Sequence, residues 1–127
     1  MSGGALKQIL SDTFKVAAAI TAGQAVKYTA NNDEIDVATA ETDSICGIAL
    51  EAQAIVGEGC VVMMLGLCWA TAGGAITVGD LVEASTAGKL ISAAGAAVRV
   101  VGIARTLAAA DGDDIMIFVN PMTIAAT

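Results

Sequence analysis

The sequence predicts an all-β protein: a small pseudo-symmetric β-barrel or β-sandwich made from two repeated β units, with an extended N-terminal arm and little helix. Three observations predict it. The stretch Ile20–Thr29 (ITAGQAVKYT) is nearly written again at Ile76–Ser85 (ITVGDLVEAS). Apolar and polar residues alternate with period two between turn residues, the mark of half-buried strands. Turn signals recur at roughly ten-residue spacing, as in sandwiches and barrels.

The repeat sets the architecture. Ile20, Gly23, Val26 and Ile35 correspond to Ile76, Gly79, Val82 and Ile91, an offset of 56 (76 minus 20). Gly47–Ala52 (GIALEA) matches Gly102–Leu107 (GIARTL) at an offset of 55 (102 minus 47), and Cys60–Met64 falls on Ile115–Val119 at that same offset. One deletion in the middle loop reconciles the two. Residues 19–66 and 75–121 therefore read as two copies joined near Ala70–Gly74, within one β domain over 19–127. Two copies are too few for a solenoid, so the pair closes on itself.

Residues 1–18 lack the repeat and are read as the arm. Their first fifteen residues hold Lys7, Lys15 and Asp12, a mildly basic start to an otherwise acidic chain. Residues 5–10 (ALKQIL) have the composition for one helical turn. In Ile-Thr-x-Gly the glycine supplies a positive φ or a close backbone approach at the entry to a strand. Val26, Tyr28 and Ala30 alternate with Lys27 and Thr29 along that strand. Asn31-Asn32-Asp33 in one copy and Thr86-Ala87-Gly88 in the other break it, and Ile35 and Val37, or Leu90 and Ile91, return. Gly-Ile-Ala makes a short strand, an acid-and-glycine turn follows, and each copy ends in an apolar run. Ile115–Val119 is the clearest buried strand, stopped by Asn120-Pro121.

With 127 residues the chain suits one domain with a modest core. Hydrophobic residues are 56% of it, but many are alanine and only four are aromatic, so subunit contacts are expected to supplement the core. A net charge of −7 repels phosphate backbones and argues against a nucleic-acid partner. The longest apolar run, Cys60–Ala70, is about half the ~20 residues of a spanning helix, which argues against a membrane partner.

No constellation for catalysis, a cofactor or a metal emerges. The chain has no histidine, which excludes Ser–His and Cys–His nucleophiles. Cys46, Cys60 and Cys68 are odd in number and unpaired in spacing; they read as small buried hydrophobes in a reducing compartment rather than disulfides or zinc ligands. The carboxylates cluster in turns, where solvation explains them, and Asp111-Gly112-Asp113-Asp114 lacks the ligand spacing of a calcium loop. Gly57-x-Gly59, Gly73-Gly74 and Gly88-Lys89 lack the remainder of a phosphate loop. Trp69 reads as a core or interface anchor, and Met63, Met64 and Met116 as gap-fillers. The expectation is a protein that is not an enzyme and needs no cofactor.

The doubled order ITAGQAV…GIALEA…GEGCVVMM and ITVGDLVEASTAGKLI…GIARTL…GDDIMIFV resembles the capsid cement or head decoration proteins of tailed bacteriophages, over most of residues 19–121. The resemblance implies a non-catalytic structural protein of the virion, made in the bacterial host cytoplasm. It implies a homotrimer on the outer capsid surface that bridges major capsid protein subunits and stabilises the head. It also implies an N-terminal segment that helps clamp the shell, for which Leu6, Lys7, Ile9, Leu10, Phe14 and Lys15 are the expected contact residues.

Three other readings remain at this point. One is a carrier-like β-barrel with a modifiable lysine at a hairpin tip, for which Lys89 is the candidate. Another is an enzyme with Cys60 or Cys68 as nucleophile, although no base accompanies either. The third is a different repeated β component of the same particle.

Overall fold

The structure, a computed structural model, describes residues 7–93 and 98–124. Nine strands follow in order: β1 (Lys7–Val16), β2 (Ala25–Tyr28), β3 (Glu34–Val37), β4 (Ile45–Ala49), β5 (Gly59–Thr71), β6 (Leu81–Ala84), β7 (Leu90–Ser92), β8 (Val98–Ala104) and β9 (Asp114–Ile124). Helix among the described residues is limited to a 3-10 turn at Thr86–Gly88. The predicted all-β class holds. The helical turn expected over residues 5–10 is a strand wherever it is described. Lys7 to Lys15 run antiparallel to β5, from Lys7 opposite Leu67 to Lys15 opposite Gly59. So short a helix has no stability of its own to oppose that ladder.

The strands form two five-stranded barrels that share β5. In the first, the order β1-β3-β2-β4-β5 closes because β5 also pairs with β1. β1 lies parallel to β3, with Lys15 opposite Glu34 and Val16 opposite Ile35. The second half of β5 continues into β9, β8, β6 and β7. A single parallel bridge, Ala72 to Leu90, joins β7 back to the residue just past the end of β5, and Gly73 N donates to Leu90 O at 2.7 Å. Its counterpart in the first barrel is the bond from Ala17 N to Ile35 O at 2.9 Å.

The two barrels match pair for pair. Val26 faces Val37 and Gly47 as Val82 faces Ser92 and Gly102. Lys15 opposite Gly59 becomes Thr71 opposite Asp114. The structural unit is thus one strand longer than the sequence repeat: β1 is the counterpart of the second half of β5. The deletion also finds its place. Tyr28 faces Ile35, and Ala84 faces Leu90, so one residue is lost in the hairpin tip and the counterpart of Ile35 is Leu90 rather than Ile91. Ile35 and Leu90 are both fully buried.

Alternation along β5 links the cores. Cys60 and Val62 point into the first barrel, while Cys68, Ala70 and Ala72 point into the second. At the changeover Gly66 pairs with Gln8 on one edge and Val119 on the other, with φ at +138°, a backbone conformation that suits glycine. The glycines of the Ile-Thr-x-Gly motif, Gly23 and Gly79, take φ of +89° and +90°, as the motif predicts.

The Gly-Ile-Ala motif has a steric cause. A Cβ on Gly47 would stand 2.0 Å from Met63 O, and one on Gly102 would stand 2.0 Å from Phe118 O. Beside each glycine a bulge displaces one residue, Cys46 in β4 and Val101 in β8. The bulge breaks the alternation, so all five residues of β4 are buried. Cys46 and Ala49 face the first core, whereas Ile45 and Ile48 pack with the residues of the second.

Among the described residues one carboxyl side chain is enclosed. Glu83 of β6 is only 3% exposed, and its Oε2 has no hydrogen-bond partner. Burial, reinforced by the neighbouring Glu41 carboxyl, pushes its pKa up to about 7. At the matching position of the first barrel, Lys27 pairs with Asp43 at 3.8 Å.

Replacing Gly47 or Gly102 with alanine should cost about 2–3 kcal/mol, because a carbonyl of the neighbouring strand must move. Gly74→Ala is the control: nothing lies within 4 Å of its Cβ position, and the change should stay within about 0.5 kcal/mol. Thermal melts of the three variants check this; equal melting temperatures would refute the steric account. The raised pKa of Glu83 yields a second expectation. The folded chain holds this proton at pH values where the unfolded chain has released it, so the contribution of Glu83 to stability falls as pH rises from about 4.5 to about 7. Glu83→Gln should therefore stabilise the protein at pH 8 and change little at pH 4, measured by denaturant titration at both.

Candidate functional site

The expected contact residues separate in the structure. Leu6 lies outside the described residues. Lys7 opens β1 opposite Leu67. Ile9 and Leu10 are 65% and 50% exposed, at the point where the β1–β5 register slips, and this bulge presents two consecutive apolar residues to solvent. Lys15 is exposed where β1 turns parallel to β3. Phe14 is not part of this surface. It points into the first core beside Val16, and its ring meets Tyr28 edge-on at 6.1 Å. Alternation explains this, since Phe14 and Val16 share the inward face of β1.

An open cleft lies beside the shared strand, lined by Gly23, Leu50, Glu51, Trp69, Thr71 and Asp114 among others. Its chemistry is spare. Glu51 accepts a hydrogen bond from Val61 N at 3.1 Å, and no cation among the described residues lines the cleft. Trp69 contributes an apolar wall, and its buried Nε1 has no partner. Sequence reasoning assigned Trp69 to a core or interface and did not place it in a cleft, where it shares the lining with Leu50 and with Val61 of its own strand.

The other candidates are placed just as plainly. All three cysteines are free and buried. Burial pushes the Cys46 thiol up to about 11 and the Cys68 thiol up to about 12, and burial followed by Glu51 raises Cys60 as well. Thiols in such surroundings are poor nucleophiles. Lys89 does not project from a free hairpin tip: its Nζ donates to Asp111 Oδ1 at 2.8 Å, and the neighbouring Gly88 N donates to Ala38 O of the first barrel at 2.8 Å. Among the described residues no group of three or more acidic or cysteine side chains is arranged to hold a metal ion.

Two further sets of exposed apolar residues escaped the sequence reading. Leu81 and Ile103 stand side by side across β6 and β8. Ile55, Val56, Val78 and Leu107 occupy connections between strands. Leu81 and Ile103 do occupy repeat positions, but a period-two pattern does not show which face a second barrel covers.

Comparison with known proteins agrees with this picture of a structural module. The chain matches, at 22% identity, the head fiber gp8.5 N base of bacteriophage phi29, with a TM-score of 0.69 over 91% of this chain and 97% of that one. The two proteins share a fold. No curated protein matches. The family model described as XM1 gp53 minor capsid protein matches residues 6–119, nearly the whole double barrel. That match bears out the resemblance to phage head proteins drawn from the repeat, and the chain belongs to the XM1 gp53 minor capsid protein family, a structural component associated with the phage capsid.

Proposed function

We propose that this protein is a decoration protein: it binds the outer surface of the capsid as a homotrimer, bridges major capsid protein subunits and stabilises the head. The observation that carries this reading is the family match over residues 6–119. The surface chemistry supports it. Ile9 and Leu10 place exposed apolar side chains beside the N-terminal segment, with Lys7 and Lys15 on the same strand. Many copies per particle turn a modest contact into firm attachment through multivalency. The protein is synthesised in the host cytoplasm and needs no catalytic group, cofactor or nucleic acid for this role. The likeness to a head fiber base favours one variant, in which the double barrel is the footing of a longer projection. Micrographs of particles with and without the protein would show such a projection.

A density gradient of particles mixed with the purified protein tests attachment. Co-migration with DNA-filled heads, at a stoichiometry near that of the major capsid protein, is expected. Ile9→Asp combined with Leu10→Asp should cut the bound fraction at least tenfold while leaving the melting temperature nearly unchanged, since both side chains are exposed. Recovery of the unaltered protein only at the top of the gradient would overturn the proposal. Thiol labelling tests the non-catalytic reading: the native protein should stay unlabelled at pH 8 while the denatured chain yields three thiols. Rapid labelling of Cys60 or Cys68 in the native state would count against it.

A further inference from the structure

The two barrels are alike in structure but not in what covers them. In the first barrel Ala25, Ile48 and Met63 lie in one row across β2, β4 and β5. Each is fully buried, because the second barrel packs on that row. The matching row in the second barrel is Leu81, Ile103 and Phe118, across β6, β8 and β9. Leu81 is 37% exposed, Ile103 is 41% exposed and Phe118 is half-buried. The row continues to the half-buried Leu67. Here the open row carries larger apolar side chains than the covered one at two of three positions, leucine for alanine and phenylalanine for methionine. An apolar strip that no described residue of its own chain covers marks an interaction surface.

The covering part is known from the first barrel. The Thr86–Gly88 tip of the second barrel seats at the Ala25 end of that barrel's row: Gly88 N bonds Ala38 O at 2.8 Å, Ala87 O accepts from Gln24 Nε2 at 3.0 Å, and a Cβ on Gly88 would stand 2.9 Å from Ala25 O. Its counterpart, the 30–33 hairpin tip of the first barrel, is exposed throughout. Each end of the tandem therefore presents one half of the contact that joins its middle.

We infer that the open row of the second barrel receives the first barrel of another copy of this chain, head to tail, repeating the packing between the two barrels of one chain. Such a contact uses a different patch on each partner, and it closes into a ring when the rotation per subunit allows. This supplies the surface for the self-association proposed above and rests on that part of the reading; shell binding stands or falls separately.

Sedimentation velocity of the full chain over a concentration series, with a photo-cross-linker, tests it. The unaltered protein should associate, and Ile103→Glu should weaken association at least 30-fold without lowering the melting temperature. Benzoylphenylalanine in place of Leu81, the counterpart of Ala25, should cross-link to the 30–33 tip of a second copy, and in place of Ile103 to other residues of that copy's first barrel. Cross-links from position 103 to position 103 would mean a symmetric face-to-face contact and overturn the inference. So would a monomer at every concentration, or loss of shell binding by Ile103→Glu with association intact, which would assign the row to the shell instead.

Discussion

Everything in this fold hangs on β5 belonging to two barrels at once. A strand has two hydrogen-bonding edges and two faces, and β5 uses all four along its length. Its first half is the last strand of one barrel, paired with β1 and β4. Its second half is the first strand of the next, paired with β9 and bridged to β7 just beyond its end. The same alternation feeds side chains into one core and then into the other. The cost is local: the strand must change partners, and Gly66 takes that bend at a φ where a side chain would strain. Because no flexible linker lies between the units, the junction is itself a piece of sheet.

The composition follows from this geometry. A five-stranded barrel has a narrow interior, and here alanine fills much of it: Ala49 in the first barrel and Ala70, Ala72 and Ala104 in the second are all essentially buried. The cysteines serve the same end as small apolar fillers. Where strands cross most closely even alanine is too large, and glycine remains, at Gly47 and Gly102. The turns, in contrast, carry acids that bind backbone amides. Asp43 accepts from Thr39 N and Ala40 N, and Asp113 accepts from Ala109 N and Ala110 N. Those carboxylates have a structural task at the turns, beyond the solvation that the sequence reading assigned them.

Duplication gives a module two ways to bury its faces, and only one is satisfied among the described residues. The row on the first barrel is closed by the second barrel, while the equivalent row on the second barrel faces solvent. For a protein associated with a capsid, such an unfinished face is consistent with a life spent in contact with neighbours, and the half-exposed Ile9 and Leu10 of β1 add to it.

The sequence by itself determined the all-β class, the duplication, the turn glycines and the absence of a histidine-based site. These are local or compositional facts: period-two patterning, a repeated string and residue types present or missing. It also pointed correctly to phage head proteins, because the order of short motifs survives where individual residues do not. Tertiary structure decided the rest. That β1 is the missing first strand of copy one was illegible, since KQILSDTFKV and its counterpart in the second half of β5 share almost no residues and only the pairing register relates them. That Phe14 turns inward while Ile9 and Leu10 stay outside depends on a bulge, and a bulge is set by two strands together. Which of the two equivalent rows is buried depends on which barrel lies against it, a relation between distant segments that no pattern along a single strand records.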